Sequence, residues 1–433
     1  MYKIAVVGLG YVGLPIASLF AKKYPVVGFD IDEVRISLLK NGKDTNHEID
    51  EQELKKVLLK EHPFRDHSDS KTPKKGLYCT VQSDELKDCN CFIIAVPTLL
   101  TPNQQPNLTQ LINASQLVAK YLKKGDLVIY ESTVYPGATE EVCVNKLEKV
   151  SSLKLNDDFY VGYSPERINT GDKEHTLENV VKITAGSSIE AAKAVDDLYK
   201  SVIKSGTCPV SSIRVAETVK IVENSQRDVN IAFVNELSKI MSCLNIDTNE
   251  VLKAAETKWN FNKYNPGMVG GSCIGIAPIF LSMEVKKKGY EPLLLDASRK
   301  VNNSMSAFIA SEVIKLMTNN GLKVKNSEVL ILGITFKENC TDARNSKILD
   351  LIEELKSYGC KLSVYDPICN AASLDSSHGI ELERDITSKK YHAIVAAVAH
   401  DVFYNNDYSN SLEVNGVIYD VKGILHGKAN KTL

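Results

Sequence analysis

Residues 4–13 of this 433-residue chain read Ile-Ala-Val-Val-Gly-Leu-Gly-Tyr-Val-Gly, and these ten residues are the strongest indication of its fold. The first four residues form a short apolar run of the kind found in a buried strand. Gly8, Gly10 and Gly13 follow at the spacing GxGxxG, and a helix-like apolar pattern continues from Val12 to Phe20. A strand, a glycine turn and a helix in direct succession predict the start of a βαβ unit with a parallel sheet.

In this context the glycine motif predicts a dinucleotide site. Gly8 permits the tight turn, Gly10 lets a pyrophosphate approach the backbone, and Gly13 lets the helix pack closely on the strand. The N–H groups at the helix N-terminus, at Tyr11 and Val12, attract the phosphates. The alternative is a glycine turn that binds no ligand.

An acidic residue makes the site more specific. Asp30 follows the next strand-like run, Val26–Phe29, where a carboxylate binds ribose hydroxyls and repels a 2′-phosphate. This favours NAD over NADP. Arg35 leaves the choice partly open, because a nearby arginine can accept a 2′-phosphate.

The remaining pattern predicts an α/β fold with two doubly wound Rossmann-like domains joined by a long central helix. The expected regions are a dinucleotide-binding domain over 1–205, a central helical dimerisation region over 206–310, and a second Rossmann-like domain over 311–433. The central helix is inferred from an apolar face. That face comprises Val222, Val229, Phe233, Leu237, Ile240 and Leu244.

Composition excludes several classes of function. Lys and Arg total 52 against 54 Asp and Glu, a formal net charge of −2, which argues against nucleic acid or an acidic membrane as partner. Apolar runs fall short of the ~20 residues of a membrane helix, and the N-terminus reads as a strand, so we expect no signal peptide. Ten scattered cysteines without a CxxC pair predict reduced thiols, a cytoplasmic protein and no metal site.

Five residues have the chemistry of a redox active site. Cys273 lies in a glycine-rich loop, where an uncrowded thiolate could attack an aldehyde. Lys220 and Asn224 are four residues apart on the central helix and could hold an oxyanion. Glu166 and Thr133 each follow a strand, where Glu166 could move a proton or activate water. Taken singly, each could be a buried thiol, a surface residue or a helix cap.

The chain resembles the UDP-glucose/GDP-mannose dehydrogenase family over nearly its whole length. It is most similar to the branch that oxidises UDP-N-acetylhexosamines at C6 for capsular and Vi-type polysaccharides. The resemblance is carried by Gly8–Pro15, Tyr130–Gly137, Tyr163–Asn169, Glu223–Ala232 and Phe336–Cys340.

The resemblance implies a homodimer, a C-terminal UDP-sugar-binding domain and a four-electron oxidation through a thiohemiacetal and a thioester on Cys273. It implies Glu166 as acid/base, Lys220 and Asn224 as oxyanion and water partners, and Thr133 beside the water. Further implied positions are Pro97, Thr98 and Arg344 at the cofactor, and Arg167, Lys337 and Arg299 at the substrate, the last toward the partner subunit. Asp366 stays open between a structural and a nucleotide-side role.

The sequence departs from the family pattern at several positions. Ala277 stands where the family has an Asp, four residues after the cysteine, and a missing acid/base partner typically costs ~10²–10⁴ in rate. The UDP-N-acetylhexosamine branch usually has a His directly before the cysteine, but this chain has Ser272, as in the UDP-glucose branch. Ile279 and Phe280 replace a tyrosine pair, and Leu99 and Asn169–Gly171 lack usual prolines. The alternatives are therefore a UDP-glucose 6-dehydrogenase, a two-electron hydroxyacid-type dehydrogenase, or a catalytically impaired protein that binds NAD and a nucleotide sugar.

Overall fold

The computed structural model describes residues 1–46, 48–64, 73–101, 105–168, 175–271, 274–374, 379–404 and 406–433. They form two compact units, Met1–Glu223 and Asn224–Leu433. The three regions expected from the sequence, with boundaries after 205 and 310, stay a prediction.

The first unit alternates strands and helices, as the sequence pattern predicts. Its strands are β1 (Ile4–Val7), β2 (Pro25–Phe29), β3 (Gly76–Thr80), β4 (Cys91–Ile94), β5 (Leu99–Leu100), β6 (Pro106–Asn107), β7 (Leu127–Tyr130), β8 (Tyr160–Tyr163), β9 (Lys182–Gly186) and β10 (Thr207–Pro209). Its helices are α1 (Gly13–Ala21), α2 (Glu33–Lys40), α3 (Glu51–Val57), α4 (Thr109–Ala119), α5 (Asn145–Ser151) and α6 (Ile189–Lys200), with a π-helical segment at Thr139–Val144.

Eight of these strands form one sheet in the order β3-β2-β1-β4-β7-β8-β9-β10. Neighbours from β3 to β8 are parallel, as predicted, but β9 runs antiparallel to β8, with Tyr163 opposite Ala185. A parallel connection needs a crossover of a dozen or more residues, usually a helix. In its described part, the β8–β9 connection holds only a short 3₁₀ turn, Leu177–Asn179. The chain therefore reverses direction there.

Helices cover both faces of this sheet. Helices α1, α2, α3 and α6 pack on one face, and α4 and α5 pack on the other. All four residues of β1, β4 and β7 are buried, which explains why they read as continuous apolar runs. The glycine turn follows β1 at the carboxyl edge, where β1 lies between β2 and β4. Open α/β sheets bind ligands at such a switch point.

The predicted long helix is confirmed as α7 (Ile213–Leu244), and the boundary between the two units falls within it. Its apolar face, however, is turned outward. Val222, Phe233 and Leu244 are 51%, 56% and 59% exposed. The buried face instead carries polar side chains, among them Lys220 and Asn224.

The second unit has a five-stranded parallel sheet in the order β12-β11-β13-β14-β15. Its strands are β11 (Glu328–Leu332), β12 (Lys361–Tyr365), β13 (Tyr391–Ala396), β14 (Leu412–Asp420) and β15 (Lys431–Thr432). Its helices are α8 (Thr248–Ala255), α9 (Ala277–Lys286), α10 (Leu293–Asn303), α11 (Met305–Asn319) and α12 (Lys347–Ser357). Helices α11 and α12 cover one face, and short segments with Phe403, Tyr408 and Leu425 cover the other.

Two further findings concern membranes and thiols. No helix within the described ranges is long and apolar enough to cross a membrane. The nine cysteines in those ranges are all free. Burial raises the pKa of the Cys79 thiol to about 12, so this thiol stays protonated and unreactive at neutral pH.

Candidate active site

The turn after β1 has the shape that a dinucleotide requires. Gly8 has φ +93° and donates its N–H to the Phe29 carbonyl at 2.8 Å. A Cβ on Gly13 would lie 1.8 Å from the Gly8 carbonyl oxygen, so a side chain there would break the turn. Among the described residues, no atom beyond the chain neighbours of Gly10 lies within 4 Å of where its Cβ would be, and no side chain caps α1. Open space beside uncapped helix N–H groups fits a pyrophosphate.

Asp30 lies beside this turn. Its Oδ2 accepts the Leu9 N–H at 2.7 Å and its Oδ1 accepts the Asp32 N–H at 3.0 Å. A carboxylate has about four acceptor positions, so lone pairs remain for ribose hydroxyls. Arg35 donates to the Leu9 carbonyl and to Asp44, whose carboxylate is fully buried. One Arg35 nitrogen, Nη2, is buried without a partner in the described part of the chain.

Two loops at the carboxyl ends of β4 and β7 are joined by hydrogen bonds. Ser132 Oγ donates to the Val96 carbonyl at 2.6 Å, and Thr98 Oγ1 donates to the Thr133 carbonyl. Pro97 between them is exposed. The predicted cofactor residues Pro97 and Thr98 therefore lie on the same edge as Thr133.

The predicted acid/base and oxyanion residues of the first unit meet. Lys220 Nζ lies 3.7 Å from Glu166 Oε2, and their side chains are 7% and 12% exposed. The other Glu166 oxygen accepts the Ile168 N–H. Such a buried pair can hold and exchange a proton with little competition from water. Arg167, next in sequence, donates to the Val181 carbonyl and pairs with Glu223 at 2.5 Å.

Two residues that hold these loops were missed by the sequence analysis. Glu217, one turn before Lys220 on α7, accepts the N–H groups of Gly137 and Thr139 and is fully buried. Burial raises the pKa of Glu217, and these hydrogen bonds oppose that effect. Lys182, at the start of β9, is also buried. A single charged residue in an apolar strand was the signal for Lys182.

Asn224 is the first residue of the second unit and lies on α7, one turn after Lys220. Its side chain is buried, and its Nδ2 has no hydrogen-bond partner among the described residues. Residues four apart share a helix face, so Lys220 and Asn224 lie on the same face of α7. Buried polar groups are nearly always hydrogen-bonded, so the unpaired amide makes Asn224 a candidate binding residue.

Cys273 and Ser272 lie outside the described residues, but contacts are described for the glycines on either side of them. Gly271 N donates to the Asn345 carbonyl at 3.1 Å, and a Cβ on Gly271 would lie 2.9 Å from the Phe336 ring. On the other side, the Arg299 guanidinium nitrogens lie 3.7 Å from the Cβ position of Gly275. The predicted residues Arg299 and Lys337, the latter beside Phe336, are therefore near this loop.

The guanidinium of Arg299 is bound by residues of its own chain. Its Nη1 pairs with Asp228 at 2.5 Å, and its Nη2 donates to Asn303 at 2.7 Å. The side chain is 11% exposed, so the predicted contact with a substrate in the partner subunit stays a prediction. Arg344 makes a bidentate pair with Asp342 and is 63% exposed.

Three family models match the chain in succession. They are the NAD binding domain of the UDP-glucose/GDP-mannose dehydrogenase family over residues 2–203, its central domain over 214–304 and its UDP binding domain over 330–427.

Individual proteins match over nearly the full length. The UDP-N-acetyl-D-glucosamine 6-dehydrogenase of Salmonella typhi is 46% identical over 426 residues, covering 98% of this chain and 96% of that protein. Protein CapL of Staphylococcus aureus is 45% identical, with 98% and 96% coverage. The solved structure of UDP-D-ManNAc dehydrogenase from Pyrococcus horikoshii superposes with a TM-score of 0.83 at 31% identity, covering 99% of this chain and 97% of that one. The predicted NAD cofactor and dehydrogenase class are confirmed, and the chain belongs to the UDP-glucose/GDP-mannose dehydrogenase family.

Proposed function

We propose that this protein oxidises the C6 hydroxyl of a UDP-N-acetylhexosamine to a carboxylate, with two NAD consumed per sugar. The substrate class is supported by relatives named for UDP-N-acetyl-D-glucosamine and UDP-D-ManNAc. The observation that carries the proposal is the buried Lys220–Glu166 pair on the same sheet edge as the glycine turn. The candidate sugars are UDP-GlcNAc, UDP-GalNAc and UDP-ManNAc.

The residues of the first unit fit NAD, which when bound accepts hydride from the sugar. Gly8–Gly13 would hold the pyrophosphate, and Asp30 would hold the ribose hydroxyls. Thr98 and Arg344 are further proposed contacts. For the substrate, we assign Lys337 to the diphosphate and Arg167 and Arg299 to the sugar nucleotide.

In the first oxidation, C6 loses a hydride and its hydroxyl loses a proton, which leaves an aldehyde. Glu166 takes the proton, directly or through a water held by Thr133. Lys220 and Asn224 donate hydrogen bonds to the oxygen as negative charge develops on it. The low exposure of Lys220 makes this stabilisation stronger than it would be in water.

Cys273 is the proposed nucleophile of the second oxidation. Its thiolate bonds to the aldehyde carbon as the carbon–oxygen π bond opens, and the oxygen takes back from Glu166 the proton released in the first oxidation, which gives a thiohemiacetal. Loss of a second hydride and of that hydroxyl proton gives a thioester. A water activated by Glu166 then attacks the carbonyl carbon, the carbon–sulfur bond breaks, and the thiolate leaves as the carboxylate forms.

An absorbance assay at 340 nm tests this function. Purified protein with NAD and each UDP-hexosamine, or UDP-glucose, should release two NADH per uronic acid with one of the sugars. Cys273→Ala should abolish uronic acid formation, whereas Cys208→Ala, which removes an exposed free thiol, should not. One NADH per sugar, or full activity of Cys273→Ala, would instead identify a two-electron dehydrogenase.

A second candidate function is favoured by Ala277. This residue is fully buried and begins α9, so no carboxylate stands where the family resemblance expects one. A protein that binds NAD and a nucleotide sugar without turnover would show raised melting temperatures with both ligands and no NADH. If so, Ala277→Asp should introduce activity.

We further propose a homodimer that joins through the outward apolar face of α7. Phe233 and Leu244 expose 56% and 59% of their surface, and Val222 and Ile240 add to the same stripe. Phe233→Glu should convert a dimer to a monomer in light scattering after gel filtration. Ile189→Glu, which changes an 85% exposed residue on α6, is the matched control and should leave the mass unchanged.

The proposed place of action is the cytoplasm, and the proposed domain boundaries remain after residues 205 and 310. Free cysteines in the described ranges suit a reducing compartment. Cell fractionation with an antibody should recover the protein with cytoplasmic markers.

A further inference from the structure

The reversed strand β9 brings a lysine to the candidate active site. A parallel strand would place its first residue at the opposite edge of the sheet. Because β9 is antiparallel to β8, its first residue, Lys182, lies instead beyond the carboxyl end of β8. This is the edge that carries Glu166.

The Lys182 ammonium connects two loops. Its Nζ donates to the Pro165 carbonyl at 2.9 Å, directly before Glu166, and to Glu131 Oε2 at 2.5 Å, two residues before Thr133. The Tyr199 hydroxyl donates to the other Glu131 oxygen, and Lys182 Nζ lies 5.4 Å from the centre of the Tyr199 ring. Lys182 and Glu131 are 2% and 1% exposed.

A buried ion pair of this kind is costly to form and contributes little to stability in comparison with apolar residues of the same size. Burial raises the pKa of Glu131, and the ion pair with Lys182 acts to lower it. The negative charge of Glu166 also raises the pKa of Glu131. Glu131 and Glu166 are therefore close enough to influence each other electrostatically. Stability alone is a weak reason for this arrangement.

We propose that Lys182 is a positioning residue for Glu166: with Glu131 and Tyr199, it fixes the Pro165 carbonyl and so holds the Glu166 carboxylate beside Lys220. The proposal rests on the proposed function, since it concerns the acid/base group of that reaction. A displacement of about 1 Å at a reacting group can cost ~10²-fold in rate, so a fixed carbonyl before Glu166 has direct consequences for kcat.

The main test is the charge-matched double variant Lys182→Met/Glu131→Gln, which removes both buried charges together. We expect kcat to fall ~10- to 100-fold while KM for NAD and for the UDP-sugar changes less than about threefold. Tyr199→Phe, which removes one hydroxyl, should lower kcat by a smaller factor.

Val195→Ala is the control for lost stability. Val195 is a fully buried residue of α6 in the core of the same unit. It should lower the melting temperature and leave kcat unchanged. A folded double variant with wild-type kcat would show that Lys182 is structural only.

Hydrogen exchange provides a readout that does not depend on turnover. In Lys182→Met/Glu131→Gln, the backbone amides of Tyr163–Ile168 should exchange at least ~10-fold faster, whereas those of β1 should not. If the wild-type protein oxidises no UDP-sugar, the proposed function fails, and faster exchange of this segment still supports the anchoring role. Unchanged exchange overturns it.

Discussion

The two sheets of this protein begin with the same turn. Gly8 follows β1 with φ +93° and donates its N–H to the Phe29 carbonyl, while Gly333 follows β11 with φ +89° and donates to the Tyr365 carbonyl. Both glycines adopt a backbone conformation that other residues rarely reach. The two units therefore have the same backbone turn directly after the first strand of their sheets.

Each turn is also held by a carboxylate at the end of the second strand. Asp30 accepts the Leu9 N–H at 2.7 Å, and Asp366 accepts the Ile334 N–H at 2.8 Å. Their surroundings differ. Asp30 is partly exposed, whereas Asp366 is 4% exposed. Asp366 is surrounded by donors, namely the N–H groups of Ile334, Thr335, Ile368 and Cys369 and the ring of His400.

The loop after each turn explains the difference. In the first unit, α1 begins at Gly13, directly after the turn, and leaves Asp30 open to a ligand. In the second, residues 333–346 precede α12 and carry Lys337 and Arg344. The same scaffold thus leaves its acidic residue partly exposed in one unit and surrounds it with hydrogen-bond donors in the other. A shared fold does not determine which residue binds the ligand.

The largest effect should come from Lys220, which lies on α7 beside Glu166 in the first unit. Lys220→Met removes the cation beside Glu166 and should lower kcat by ~10²- to 10⁴-fold. Lys361→Met, which changes an exposed lysine of the second sheet, is the matched control and should have no effect. Equal losses would contradict the assignment of the acid/base chemistry to the first unit.

The next largest effect is on the stability of the protein, which substitution of Asp366 should lower more than substitution of Asp30. Asp366→Ala leaves His400 and several buried N–H groups without an acceptor and should cost ~3–5 kcal/mol of unfolding free energy. Asp30→Ala should cost about 1 kcal/mol. Urea unfolding of both variants measures the difference, and similar losses would refute the contrast drawn above.

NAD affinity should show the opposite order. Asp30→Ala removes the proposed ribose contact and should weaken NAD binding ~10- to 100-fold. UDP binding should stay unchanged, because it is assigned to the second unit. Calorimetric titration with NAD and with UDP separates the two, and equal weakening of both would mean that Asp30 acts through folding alone.

The smallest predicted effect is a loss of stability of the second unit at acidic pH. Burial acts to raise the pKa of Asp366, but the hydrogen bonds from His400 and from the Ile334 N–H outweigh it and hold the pKa below its ordinary value. The carboxylate therefore stabilises the second unit above the unfolded pKa of about 3.9, and this stability is lost as pH falls below that value. Hydrogen exchange of β11 and β12 between pH 5 and 3 should show it, and Asp366→Asn should flatten the dependence.

Spacing was enough to predict the glycine turn, the position of Asp30 directly after β2 and the long helix α7, because each depends on local sequence. The proximity of Lys220 and Glu166 followed only in part, since the sequence placed each at a suitable position but gave no distance between them. The outward face of α7 could not be read from its apolar pattern. The helical spacing of apolar residues such as Phe233 and Leu244 is the same whether that face is buried in a core or exposed on the surface, as it is here.

The direction of β9 and the role of Lys182 could not be predicted for a related reason. A short apolar run does not reveal whether its strand is parallel to its neighbour, because the side-chain period is the same. Direction depends on the connection before the strand, which here lacks a crossover helix in its described part. Asp366 was left open by the sequence because only the surrounding N–H groups show that it is structural.

The reversal of β9 changes where reactive groups should be sought in proteins of this architecture. Ligands of open α/β sheets bind outside the carboxyl ends of the parallel strands. Once a strand next to the edge strand runs the other way, its first residue enters the same crevice, and the segment before that residue can supply reactive groups to evolution or to an engineer.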